Sequence, residues 1–166
     1  MGYAYVFDKR IREGLSLIEE AIEQSKLLGM MFCHSISLIN LGEALLFVGR
    51  LPDANEIAQR GLKLCKEYKA HGYEAWALRL LGDIFSDSSS FDAEKAENYY
   101  REAMSLANQR GMRPLLAHCH KGMDILYRKM GKKEETQDYL AKALTMYREM
   151  EMDFWLEKAQ KDSERL

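Results

Sequence analysis

The sequence predicts an all-α fold, a solenoid of antiparallel helix pairs closed by a C-terminal capping helix. Three observations predict it. First, Leu41-Gly42-x-x-Leu45 returns as Leu81-Gly82-x-x-Phe85, with Met1-Gly2-x-x-Tyr5 before and Met123-Asp124-x-x-Tyr127 after, in steps of 40, 40 and 42 residues. A second pattern, Gly14/Ile18/Ala21, Ala54/Ala58/Gly61, Ala96/Tyr100/Ala103 and Thr136/Leu140/Ala143, steps by 40, 42 and 40. Self-similarity at such a period marks stacked supersecondary units, each burying its apolar face on its neighbours. Second, apolar residues return every three or four positions, the period of an amphipathic helix. Third, the chain holds 2 prolines and no sustained strand-like alternation.

Periodicity and its breaks place helices over 1–8, 10–28, 31–49, 52–69, 73–87, 92–110, 114–130, 133–149 and 153–165. Gly29, Gly72, Gly111 and Gly131 stand at breaks, where a glycine adopts the left-handed conformation that ends a helix. Pro52 and Pro114 suit a first turn, which needs no backbone donor, and Asp153 suits the cap of the last helix. Between the two patterns of the third unit the spacing grows by two residues. The low-complexity stretch Ser86-Asp-Ser-Ser-Ser-Phe-Asp92 lies there, so the insertion belongs to a surface loop inside that pair. The units read as 1–29, 30–71, 72–111 and 112–150 of a single domain over 1–166, followed by the capping helix 153–165. That helix starts apolar with Phe154, Trp155 and Leu156 and then becomes charged, as a solvating cap should.

Composition narrows the function classes. With 24 basic and 26 acidic side chains the formal charge is −2, which gives no global attraction to nucleic acid or anionic lipid. No run approaches the roughly 18 to 20 apolar residues of a membrane span, and the N-terminus lacks the order of a signal peptide. The expected location is cytoplasmic. Cys33, Cys65 and Cys119 are widely spaced and read as reduced, mostly buried thiols. No His-Glu-x-x-His, glycine-rich phosphate loop or nucleophile elbow occurs, so no enzyme and no cofactor is expected. The cluster His118-Cys119-His120, with Cys33-His34, has metal-ligand chemistry. Helical neighbours diverge by about 100° per residue, however, so these three side chains cannot converge on one ion.

Small-large-small signatures on paired helices, with Leu-Gly and a large apolar residue on the first helix, resemble the tetratricopeptide repeat over essentially the whole chain. The period of about 40 exceeds the roughly 34 residues of that unit, and the proline between repeats is absent. In this the chain resembles the lengthened, MalT-like arrays of bacterial multi-domain regulators. The stretch Met146 to Ala159 is similar to the carboxyl end of signalling ATPases and cyclase-linked proteins built that way. The resemblance implies a right-handed superhelix whose concave face is lined by the first helix of each pair.

On those helices the remaining positions form stripes at spacings of three and four: Tyr3/Val6/Phe7, Ile36/Ile39/Glu43/Phe47, Trp76/Arg79/Asp83/Ser86 and His118/Lys121/Ile125/Arg128. The candidate partner-binding residues are therefore Ile39, Glu43, Phe47, Trp76, Arg79, Asp83, His118, Lys121, Ile125 and Arg128. Ile36, Ile39 and Trp76 also suit packing against the preceding helix. Arg79, Lys121 and Arg128 are the better binding candidates, since a core does not accept them unpaired. The chaperone-tail clamp of some tetratricopeptide proteins is not reproduced, because the matching positions carry Ile39, Glu43, Leu80, His118 and Gly122. The expected function is a non-catalytic protein-interaction scaffold within a bacterial signalling or transcription regulator, binding a protein or peptide segment. Small-ligand sensing of the MalT-like kind is the alternative. Because the first helix starts about two turns late, the chain reads as a fragment or an abruptly starting array. Tyr3, Tyr5, Val6 and Phe7 are then expected at an uncovered edge through which the chain forms a homodimer.

Overall fold

The computed structural model describes residues 2–87 and 89–164. Among them the chain forms α1 (Gly2–Phe7), α2 (Ile11–Leu27), α3 (Met31–Phe47), α4 (Leu51–Glu67), α5 (His71–Phe85), α6 (Ala93–Gln109), α7 (Arg113–Lys129), α8 (Lys133–Glu149) and α9 (Asp153–Glu164), with no strand. Successive helices from α1 to α9 pack on one another, and α1, α3, α5 and α7 also stack in sequence. The odd-numbered helices thus form an inner layer and the even-numbered ones an outer layer. This is a helical solenoid.

One turn is used almost throughout. At the end of α3, Gly49 adopts φ 79°, its N–H donates to the Leu46 carbonyl, and the Arg50 N–H donates to the Leu45 carbonyl at 2.9 Å. This reversal satisfies the orphan carbonyls of the helix end and turns the chain back in three residues. Gly29, Gly111 and Gly131 repeat it as expected, whereas Gly72 does not. Lys69 takes the left-handed position instead, at φ 52°, so α5 starts at His71 and Gly72 lies inside it. A side chain in that region costs about 1–2 kcal/mol, against the roughly 0.5–1 kcal/mol that glycine loses in chain entropy. Lys69→Gly is therefore expected to raise unfolding stability by about 0.5–1 kcal/mol in a denaturant titration. Asp153 is the first residue of α9 rather than a cap outside it, because Glu151, at φ 54°, makes that turn. The extended loop falls between α5 and α6 as expected. There the Ser90 hydroxyl donates to the Ile84 carbonyl, and the Asp92 carboxylate accepts the Lys95 N–H at 3.1 Å as a helix cap.

The small signature residues sit at helix crossings. Ala54, Ala58, Ala96, Ala103 and Ala143 are fully buried. Ala21 is not, and the reason is geometric. Its counterpart Gly61 is covered by Leu38 and Ile39 from the first half of α3, whereas the described α1, Gly2–Phe7, holds no residues at the equivalent positions. At the N-terminal edge Val6 is fully buried over Gly14, contrary to the expected exposure, because α1 packs squarely on α2. The Arg10 guanidinium lies 4.1 Å from the Tyr5 ring centroid. The side chains of Tyr3 and Phe7 lie outside the described residues.

One pair of units breaks the pattern in a compensated way. Leu80 lies over Gly42, where an added Cβ would come within 2.8 Å of its Cδ2. Forty-two residues on, Leu80 is replaced by Gly122 and the small Ala58 by Tyr100. The Tyr100 ring fills the vacated volume, so close to Gly82 and Gly122 that Cβ atoms there would lie 2.7 and 2.5 Å from it. An outer-helix tyrosine thereby passes between α5 and α7 to the inner face.

Candidate binding groove on the inner helices

The inner layer carries two adjoining concavities. One, of about 310 Å³, is walled by Ile36, Ile39, Asn40 and Glu43 of α3, Trp76 and Arg79 of α5, His118 of α7 and Trp155 of α9. The other, of about 360 Å³, extends along α5, α7 and α9 and includes Asp83, Lys121, Ile125, Lys158 and Asp162. Arg79, His118 and Trp155 belong to both. The groove thus runs continuously past a waist made by these three side chains.

Partly buried polar groups make its floor. The Arg79 guanidinium donates to Glu43 across the α3–α5 contact and to Asp83 one turn on. Asp83 also accepts from the Tyr100 hydroxyl at 2.7 Å. Burial works against the Arg79 charge, yet Asp83 and Glu43 outweigh it and hold the guanidinium pKa above its ordinary value. Burial raises the Asp83 carboxyl, although Arg79 and Tyr100 oppose the shift. A second node lies on α7. There Asp124, fully buried where earlier units carry glycine, accepts from Lys121 at 2.8 Å and Arg128 at 2.6 Å. The first node joins two carboxylates to one cation; the second joins one carboxylate to two cations.

Of the expected binding residues, Ile39, Glu43, Trp76, Arg79, Asp83, His118, Lys121 and Ile125 line the groove. Phe47 and Arg128 line neither concavity. Arg128 turns to Asp124 and to the Asp162 carbonyl, 3.1 Å away, tying α7 to α9. Arg79, Lys121 and Arg128, expected as unpaired charges awaiting a partner, are each paired within the chain. The carboxylates that pair them lie on the same or the adjacent inner helix, so these cations hold the floor together. Two contributions were not anticipated. Tyr100 and Tyr147 reach the groove from the outer helices, and Trp155, Lys158 and Asp162 make α9 one of its walls as well as a cap. Tyr100 at the Ala58 position and Gly122 at the Leu80 position are the sequence signal for the first.

His118 occupies the waist. Its ring centroid lies 5.9 Å from that of Trp76, 5.5 Å from Tyr147 and 4.6 Å from Trp155, and its Nδ1 is 2.8 Å from the Tyr147 hydroxyl. Burial, then Arg79 and Lys158, push its pKa from the ordinary 6.5 down to about 3. His120 faces away, toward Tyr139, and burial and Lys142 lower its pKa as well. Cys119 between them is fully buried, its thiol pushed up to about 12, and Cys65 is buried too, whereas Cys33 is exposed. His34 turns inward, its Nδ1 3.2 Å from the Ile22 carbonyl. Among the described residues, no group of three or more His, Cys, Asp or Glu side chains is placed to hold a metal ion.

The lowered His118 pKa has a defined linkage. Above pH 6.5 both folded and unfolded forms leave the imidazole neutral. Between 6.5 and about 3 the unfolded chain takes up a proton that the fold refuses, so stability falls as the pH drops. From pH 7 to pH 5 the loss from His118 is expected to be about 2 kcal/mol. Denaturant unfolding at the two pH values checks this, and His118→Gln should remove that part of the slope.

An inner-layer groove on stacked antiparallel helix pairs defines a helical-repeat protein. Residues 33–109, from α3 through α6, match the tetratricopeptide repeat family. That match and the all-helical repeat together support a tetratricopeptide-repeat array. No curated protein matches the chain. Among the described residues, no helix is long and apolar enough to cross a membrane.

Proposed function

We propose that the chain is a non-catalytic protein-interaction module that holds an extended segment of a protein partner along its inner groove. The observation that carries this reading is the continuity of the groove. Side chains from α3, α5, α7 and α9 converge on one track that passes from Ile36 to Asp162 through a single waist. Tetratricopeptide repeats generally mediate protein–protein contacts, and a stacked scaffold presents such a track without ordering cost to itself. Burial against Ile36 and Trp76 supplies affinity, and polar groups around Lys121 and Lys158 supply orientation.

The lengthened period supports assignment to the MalT-like type, and with it a cytoplasmic place within a bacterial signalling or transcription regulator. Small-ligand sensing is the second reading. It is favoured by concavities of about 310 and 360 Å³, at the lower end of the size of small-molecule sites.

Ile125 lines the groove and is exposed, whereas Lys63 is exposed on α4 and lines neither concavity. Co-purification from the source cells is expected to recover one partner with the natural chain and with Lys63→Glu, and to lose it with Ile125→Arg at an unchanged thermal midpoint. Equal recovery by all three would place the working surface elsewhere.

A further inference from the structure

The chain has 2 tryptophans, and both lie against the same histidine in the groove. Trp76 comes from α5 and Trp155 from α9, so the concavity they flank exists only where the terminal helix folds back onto α7. Ile36 and Ile39 give it an aliphatic floor, and its volume of about 310 Å³ accommodates a whole aromatic side chain. The Tyr147 hydroxyl, 2.8 Å from Nδ1, fixes the His118 ring between the two indoles. Aromatic rings favour edge-to-face and offset contacts of the kind His118 already makes with Trp155, at an interplanar angle of 74°.

Charge decides what accompanies that ring. The Arg79 guanidinium lies 5.3 Å from the Trp76 ring centroid, and the Lys158 ammonium lies 5.3 Å from that of Trp155. Burial is the main cause of the depressed His118 pKa, and both cations add to it. Glu43, also on the wall, is neutralised by Arg79. Arg79 is thus committed to Glu43 and Asp83, whereas among the described residues Lys158 has no carboxylate within ion-pairing distance. Lys158 is therefore the cation left to meet a ligand: a basic group beside it would face a like charge, whereas an acidic one would gain a counter-ion.

Resting on the groove reading above, we propose that this slot seats an aromatic side chain of the partner segment with an acidic residue beside it, the ring against Trp76, Trp155 and His118 and the carboxylate on Lys158. Helix α9 is then part of the recognition surface. A partner lacking the acidic neighbour is discriminated against by the loss of one charge-assisted contact.

Two tryptophans in one slot make the test direct. The full chain labelled with 5-fluorotryptophan is titrated with the peptide acetyl-Gly-Asp-Phe-Asp-Gly-amide and followed by fluorine NMR. Both resonances are expected to shift saturably. Peptides with serine in place of the phenylalanine, or lysine in place of both aspartates, are expected to bind about tenfold more weakly or worse. Lys158→Glu, an exposed position, should remove the preference for the acidic peptide over the lysine peptide. Silent tryptophan resonances with the acidic peptide, or equal binding of the lysine peptide by the natural chain, would overturn the proposal. If Ile125→Arg still eliminates the natural partner while the tryptophans stay silent, the slot fails and the groove reading stands. If partner recovery is also indifferent to Ile125→Arg, both fail.

Discussion

Tyr100→Ala is expected to lower unfolding stability by about 3–5 kcal/mol, and Gly122→Leu added to it is expected to restore a large part of the loss. The ring is essentially fully buried between Gly82 and Gly122, so its removal leaves a cavity bounded by two glycines that have no side chains with which to fill it. Gly122→Leu alone should destabilise by about 1–3 kcal/mol, since its Cβ would fall 2.5 Å from the Tyr100 ring. Together the two substitutions recreate the Ala58 and Leu80 arrangement of the preceding pair of units. A double-mutant cycle by denaturant unfolding is expected to give a favourable coupling of about 2–3 kcal/mol. Recovery falls short of complete, because the hydroxyl contact to Asp83 is gone. Strict additivity of the two changes would mean that Tyr100 and Gly122 do not share one space.

Arg79→Ala is expected to cost about 3–5 kcal/mol, because it leaves the Glu43 and Asp83 carboxylates facing each other at the groove floor without their cation. Arg79→Lys recovers part of this, since an ammonium lacks the planar fork that reaches both acids at once. The pH dependence identifies the cause. Burial already raises the Asp83 carboxyl above its ordinary value, and without the opposing guanidinium it rises further. The folded variant then binds protons more readily than the unfolded one and gains stability relative to the natural chain as the pH falls through the folded values. A deficit that shrinks between pH 7 and pH 5 is the expected outcome, measured as the difference between the two chains with His118→Gln in both, because Arg79 also acts on the histidine. A pH-independent deficit would assign the loss to packing of the arginine stem.

Much of this architecture is legible in the residues themselves. The forty-residue step from Gly42 to Gly82 locates the helix crossings because a close approach of backbones tolerates little beyond a hydrogen. Apolar periodicity then sets helix lengths to within two or three residues at each end. The structure departs from these rules at a few identifiable positions. Lys69 makes a left-handed turn that glycine chemistry pointed to Gly72, three residues on. Ala21 is exposed although its counterpart Gly61 lies under Leu38 and Ile39, a difference that the shared small-residue spacing does not reveal. The stripe positions on α3, α5 and α7 follow from helical spacing, and most of them line the groove. Their charges, however, are satisfied from within. A cation on an inner helix can be read from sequence, whereas the carboxylate that meets it from the adjacent helix, as Glu43 meets Arg79, cannot. The charged run after Trp155 marks a solvated cap, but its contact with His118 depends on how α9 folds back, which no spacing rule states.

The central claim is that the inner face of α3, α5, α7 and α9 is the working surface. Amide hydrogen exchange of the chain, alone and with its co-purified partner, tests this most directly. Protection is expected to rise over Ile36–Glu43, Trp76–Asp83, His118–Ile125 and Trp155–Asp162, with α4, α6 and α8 unchanged. Protection confined to the outer helices, with the inner segments unaltered, would contradict it.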